Sequence, residues 1–208
     1  MSPTKSITDR LVANASRRDE QANVELAALI VRGQDAGAVR EVFDNLANTK
    51  LQSDCIKVLY EIAEKSPALV ADYAERFVEL SQSKNNRIVW GAMTAIDAIT
   101  GLRSDVVYSH LDLLRSIANA GSVITRDHFV NILITLAPKK ADVPPLLAEQ
   151  FADCPANQLP MYAERAVSYL RQVQAPEFVE ILVGRLGEMK TDSRKKRIEK
   201  VIRQIRSK

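Results

Sequence analysis

The sequence predicts an all-α chain, one domain over 1–208 in which about five helical hairpins stack as a right-handed α-α superhelix behind an N-terminal helical cap. Two observations carry this prediction. Ala, Leu, Val, Ile, Glu, Lys and Arg dominate the 208 residues, while Gly and Pro number only 7 and 8, a balance that favours helix over a turn-rich sheet. Helix-start signals also recur along the chain. "KSPALV" at 65, "RSDVVY" at 103, "KADVPP" at 140 and "QAPEFV" at 174 each set a Ser, Ala or Asp and then a Pro or Asp before an apolar-periodic run. Ser66 and Ser104 suit N-caps, and Pro67, Pro144 and Pro176 suit a first turn, where the missing N–H costs nothing. Anchored on Pro67, Asp105, Asp142 and Pro176, the intervals are 38, 37 and 34 residues, with a weaker anchor at Asp35, 32 before Pro67. Two amphipathic helices per interval of this size are units that bury their apolar faces only against one another.

The elements follow in order. Residues 1–33 supply one or two cap helices that stop near Gly33, and hairpins follow over 35–64, 66–100, 104–137, 142–173 and 175–206. The first helix of each hairpin, A, is expected over 36–47, 67–81, 105–119, 143–153 and 176–188. The second, B, is expected over 51–64, 86–100, 125–137, 159–173 and 192–206. Aligning the B helices on their last apolar residue gives three core rows: Ile62, Ile99, Leu136, Val173, Ile205; Leu59, Ile96, Leu133, Leu170, Ile202; and Cys55, Ala92, Phe129, Ala166, Ile198. The same register gives an outward stripe: Ser53, Trp90, Asp127, Glu164, Lys196; Lys57, Thr94, Asn131, Ser168, Lys200; and Tyr60, Asp97, Ile134, Arg171, Arg203. Trp90, the chain's one Trp, lies roughly 160° from the centre of the stripe Ile88, Ala92, Ile96 and Ile99, with Thr94 and Asp97 beside it.

The stretch "NNRIVWGAMTAIDAIT", residues 85–100, resembles the second helix of a HEAT repeat. Asn86 stands at the polar turn position, Val89 at the Val, and Ala92, Ile96 and Ile99 at the small and aliphatic positions. Trp90 departs from the pattern, which places Arg after the Val. The resemblance covers most of the chain as a period and this one repeat as a motif; armadillo and other α-solenoids share the period. It implies a solenoid whose concave wall is the outward stripe, a wall that commonly binds extended partners. The candidate partner-binding residues are thus Trp90, Thr94, Asp97, Asp127, Asn131, Glu164 and Arg171. Two readings stand open for Trp90. It covers the edge of a neighbouring repeat, or it is displayed as a binding hot spot.

Charge is uneven. Residues 185–208 hold ten Lys or Arg against three acidic residues, net +7, which leaves residues 1–184 at −4. In the last helix Lys196, Lys200 and Arg203 line up opposite the apolar Ile198, Val201, Ile202 and Ile205, forming either a solvated end cap or a surface for an acidic segment, nucleic acid or anionic lipid.

Catalytic patterns are missing. His110 and His128 lack metal-ligand spacing, and no P-loop, G-x-S-x-G or G-x-G-x-x-G occurs. Asp127 and His128 with Asn131 have the makings of an acid–base group, but a capping Asp at a helix start explains them more simply. Cys55 and Cys154, 99 positions apart, read as small buried hydrophobes, with a disulfide or redox role as the lesser alternative. "MSPTKSITDR" has no apolar core of a signal peptide, and the longest apolar runs, such as "LAALIV", are too short to span a bilayer. The expectation is a cytoplasmic, non-catalytic protein-interaction module with no metal and no cofactor. The alternative is a nucleic-acid-binding protein led by the basic C-terminal helix. A DNA glycosylase of HEAT-like repeats is a remote third, since Trp90 and Asp97 share a face but a second displayed Trp and a basic channel are missing.

Overall fold

The computed structural model describes residues 6–15 and 20–207, with the side chains of 12–15 excepted. The remainder of the predicted N-terminal cap lies outside the described residues, which contain helices and no strand. The chain divides into two compact units, Met1–Phe129 and Val130–Lys208.

Unit 1 holds α1 (Ile7–Ala15), α2 (Gln21–Gly33), α3 (Ala36–Asp44), α4 (Gln52–Lys65), α5 (Ala74–Leu80), α6 (Asn86–Ile99), α7 (Ser104–Ser109), α8 (Leu111–Ala120) and the first turns of α9 (Val123–Leu136). Its centre is α4, which packs on α2 and α6, with α5 against α6. Cys55, Leu59 and Ile62 of α4 and Ala92, Ile96 and Ile99 of α6 are fully buried, so the predicted apolar rows form the core here. Asp35 and Asn85 cap α3 and α6 by accepting from Ala38 N and Arg87 N, which supplies partners for N–H groups that a helix start leaves open.

The A helices differ from expectation. Residues 67–81 form two 3₁₀ turns, Pro67–Leu69 and Ala71–Tyr73, before α5. The interruption falls at Val70, which is fully buried, and Arg103 Nη1 donates to the Ala71 carbonyl, which also accepts the Ala74 amide, at 3.3 Å and to Asp72 at 2.7 Å. The expected helix 105–119 is likewise divided into α7 and α8 at His110, whose Nε2 meets Glu75 of α5 at 2.8 Å. Ser66 and Ser104 make no capping bond through their side chains, Ser104 being the first residue of α7 and not its cap. Gly33 ends α2, but Gln34 takes the left-handed conformation, φ 48°.

Unit 2 holds the rest of α9, then α10 (Val143–Asp153), α11 (Leu159–Val173), α12 (Pro176–Gly184) and α13 (Asp192–Arg206). α11 packs on α13, and α10 on α12. Pro144, Pro160 and Pro176 all sit in first turns, as their locked φ favours. Ala166, Leu170, Ile198, Ile202 and Ile205 are buried, but Val173, placed by register in the same core, is 50% exposed. α11 stops at Val173 because Gln174 turns left-handed, φ 48°, and the amides of Gln174 and Ala175 close on the carbonyls of Arg171 and Leu170; the last side chain is carried off the buried stripe. Arg185 Nη1 and Nη2 donate to the carbonyls of Phe151 and Cys154 at 2.7 and 2.8 Å, closing the C-terminal end of α10 with a charge that suits its dipole.

Candidate interaction site on the second helices

Unit 1 carries Trp90, Thr94, Asp97 and Asp127 of the predicted stripe. Trp90 is 38% exposed, Thr94 only 6%, and Asp97 and Asp127 are half-buried. Thr94 is drawn inward by His128. The imidazole Nδ1 lies 2.8 Å from Asp97 Oδ2 and Nε2 lies 2.9 Å from Thr94 Oγ1, which also reaches its own helix at Trp90 O, 3.0 Å. A carboxylate only accepts, so Nδ1 carries a proton. Thr94 has one hydroxyl hydrogen for two acceptors. The Thr94 hydroxyl can serve either the Trp90 carbonyl or Nε2. The order carboxylate, imidazole, hydroxyl is that of an activated nucleophile, but this hydroxyl is buried within a helix and tied to that helix's carbonyl. What the group does in this geometry is fasten α9 to α6. Asp127 is not the cap that the sequence suggested: it lies in the second turn of α9, and Ser122 Oγ accepts the Thr125 amide at 3.3 Å.

On the α4 side, Lys57 is 8% exposed. Its Nζ donates to Glu61 Oε1 at 2.8 Å, stands 3.4 Å from Glu20 Oε2 and lies 4.6 Å from the centroid of the Tyr60 ring. Glu61 pairs in turn with Lys65, and Glu20 with Arg87, one turn before Trp90. Burial alone would lower the Lys57 ammonium, but Glu61 and Tyr60 hold it above the ordinary lysine range. Burial would raise the Glu61 carboxyl, but Lys57 and Lys65 hold it below the ordinary carboxylate range. Burial pushes the Tyr60 phenol up, with Lys57 opposing. The Cys55 thiol beneath them is pushed up to about 12 by burial and then by Asp54, so it is a packed hydrophobe and a poor nucleophile. Both cysteines are buried thiols.

In unit 2, Asn131 is half-buried and Arg165 Nη1 donates to its Oδ1 at 3.1 Å. Glu164 is exposed and takes a forked pair from Arg197, Nε at 2.8 Å and Nη2 at 2.6 Å, which holds its carboxyl below the ordinary range. Arg171, Lys196, Lys200 and Arg203 are exposed.

One row of residues was passed over by the sequence reading. Positions 54, 91, 128, 165 and 197 follow the B-helix register, and four of them reach back to the preceding B helix or to α2. Asn23 of α2 donates to Asp54 at 2.6 Å; His128 meets Asp97 and Thr94; Arg165 meets Asn131; Arg197 meets Glu164. The fifth is Gly91, where a Cβ would come within 2.4 Å of Ile56 Cγ1 and 3.1 Å of Tyr60 Cδ1, so α4 and α6 approach backbone to side chain. These links span 31 to 34 residues, shorter than the 37 that separate equivalent positions in the first four B helices. A side chain pointing toward its own helix N-terminus meets its neighbour about a turn away from the equivalent residue.

Two solved structures are similar in fold. Each is a crystal structure of an engineered protein from the Northeast Structural Genomics Consortium. One is 16% identical with a TM-score of 0.60, covering 94% of this chain and 95% of that one. The other is 16% identical with a TM-score of 0.58, covering 99% and 100%. The likeness is one of fold. No protein-family model and no curated protein matches the chain. No helix among the described residues is long and apolar enough to cross a membrane.

Proposed function

We propose that the chain is a non-catalytic, cytoplasmic interaction module, an α-solenoid of HEAT-like hairpins that binds a protein partner along the outward faces of its B helices. The observation that carries this reading is Trp90, 38% exposed on α6 while the polar residues around it are held in place. Arg87 is fixed by Glu20 on one side, and Thr94 and Asp97 by His128 on the other. A large amphipathic ring on a pre-ordered surface binds with little entropy left to lose. The recurring row at positions 54 to 197 supports stacked repeats as its frame.

The test begins with the ring itself. Trp90 emission should be red-shifted and quenched by iodide in the native protein, and Trp90→Ala should cost well under the roughly 3 to 5 kcal/mol of a buried Trp. Proteins retained from a lysate by the parent and lost with Trp90→Ala identify the partner, whose affinity should fall about thirtyfold. Dry-interior emission with quenching only after denaturation would sink the proposal.

A further inference from the structure

The basic face of α13 is not used by the Trp90 surface. Unit 2 carries 14 Lys and Arg against 9 Asp and Glu, net +5, while unit 1 is net −2. The cations of α13 and the turn before it are of two kinds. Arg185 is committed to the end of α10 and Arg197 to Glu164. Lys196, Lys200 and Arg203 instead stand exposed along one face spanning about 10 Å of the helix, with Lys195 and Arg206 exposed at its flank. The carboxylates of α13 are Asp192 and Glu199; of the helices it packs on, α11 presents Glu164, paired with Arg197 and also drawn on by Lys200, and α12 presents Glu177 and Glu180, the latter beside Arg206.

From this face we propose that α13 binds the phosphate backbone of duplex nucleic acid without reading its sequence. The occupant follows from what the face lacks. All four apolar residues of α13, Ile198, Val201, Ile202 and Ile205, are buried, as are Tyr162, Tyr169 and Phe178; the exposed large aliphatics of the helices it packs on are Val173, at the end of α11, and Val183 of α12, so α13 itself presents none. A protein partner draws its affinity from an apolar or aromatic anchor, a membrane-surface helix from an apolar face laid into the bilayer, and a single strand from stacking on aromatic rings. Exposed cations alone gain affinity by releasing condensed counterions, and a duplex, with one charge per about 1.7 Å of axis, has the most to release.

The test measures binding of the full chain to a labelled mixed-sequence duplex of about 20 base pairs between about 50 and 200 mM salt. Three phosphate contacts give a slope of log K against log salt of about −2.7, a loss of roughly 40-fold over that range. Lys196→Gln/Lys200→Gln/Arg203→Gln should lose binding at least about tenfold at low salt and flatten the slope by about 2.7. Arg32→Gln/Arg40→Gln/Lys50→Gln, which removes the same charge from exposed sites of unit 1, should bind as the parent does, and so should the charge-conserving Lys196→Arg/Lys200→Arg. Circular dichroism establishes that each variant is folded. The proposal is overturned if the parent fails to bind the duplex at low salt or if both Gln triples weaken it equally. Poly-glutamate or anionic vesicles binding as tightly as the duplex would overturn it too.

Discussion

The outward faces of α6 and α13 occupy equivalent positions in the register, Trp90 with Lys196, Thr94 with Lys200 and Asp97 with Arg203, yet they have become different surfaces. On α6 the Thr94 hydroxyl is buried and Asp97 half-buried, because His128 reaches back to both from α9. On α13 all three residues are exposed; α13 packs on α11 and α12, and its own Arg197 reaches back to Glu164. The stripe of α6 is tied down by an imidazole reaching back from α9, while on α13 the three cations stand exposed.

The largest effect should come from the core under the two faces. Ile96 and Ile202 are register equivalents, and removing buried methylenes costs the transfer energy plus that of whatever cavity remains. Ile96→Ala should cost about 3 to 5 kcal/mol, since the site is closed on both sides by α4 and α5. Ile202→Ala, where the side chain is 6% exposed against none for Ile96, should cost about 2 kcal/mol. Urea midpoints measure both, and equal losses would break the comparison.

Next is the ion network. Glu61 is held below its ordinary range, so its contribution is complete above the unfolded value of about 4.3 and is lost as pH falls through the lower folded one. Lys57 is held above its ordinary range, so its contribution is complete below about 10.4 and is lost only as pH rises beyond that. Between these limits the pair adds a flat term. Lys57→Met should cost about 1 to 3 kcal/mol at pH 7 and flatten the loss of stability on acidification. Glu164, also held low, pairs with Arg197 in the open, so Arg197→Met should change stability by about 1 kcal/mol or less, and moderate salt should erase the effect. Acid titrations of both variants at low and high salt decide whether the two networks differ in this way.

Gly91→Ala comes third. The added Cβ collides with Ile56 and Tyr60, and overpacking costs about 1 to 3 kcal/mol, against a helix-propensity gain of up to about 1 kcal/mol. A net loss of roughly 1 to 2 kcal/mol is expected in thermal or urea unfolding, whereas a gain would show that α4 and α6 can part without strain.

The helices that form these faces were largely legible. Residues 159–173 and 192–206 are expected as helices and observed as α11 and α13, because an amphipathic stripe and a Pro or capping Thr mark them locally. The A helices were less so. Their breaks at Val70 and His110 lie among bonds that Arg103, just before α7, and Glu75, on α5, supply from elsewhere in the chain, and no single-helix periodicity contains those. Val173 misled for a related reason, since its register says core while the left-handed Gln174 ends the helix under it. In the site, Thr94 is outward on its own helical wheel, and only α9 makes it inward. The row Asp54, Gly91, His128, Arg165, Arg197 went unseen because its members share a task and no residue type: a carboxylate, a bare backbone, an imidazole and two guanidinia. The regular step from 54 to 91 to 128 to 165 was in the sequence, one place beyond the row already aligned.

The smallest effect should come from the α13 face, and it sharpens the comparison by its salt dependence. In Lys196→Gln/Lys200→Gln/Arg203→Gln, Lys196 and Lys200 form a like-charged pair four residues apart, so removing them relieves about 0.2 to 0.5 kcal/mol of repulsion. Arg203 lies in the last turn of α13, where a cation gains about 0.3 to 1 kcal/mol from the helix dipole, so its loss works the other way. Gln is nearly as good a helix former as Lys or Arg. The terms largely cancel, and the variant should melt within about 0.5 kcal/mol of the parent. Whatever difference remains should shrink as salt rises, since exposed charges are screened within about 3 Å at 1 M. A loss of several degrees that persists at high salt would mean that these three side chains pack on the core, and α13 would then be a face of the α6 kind.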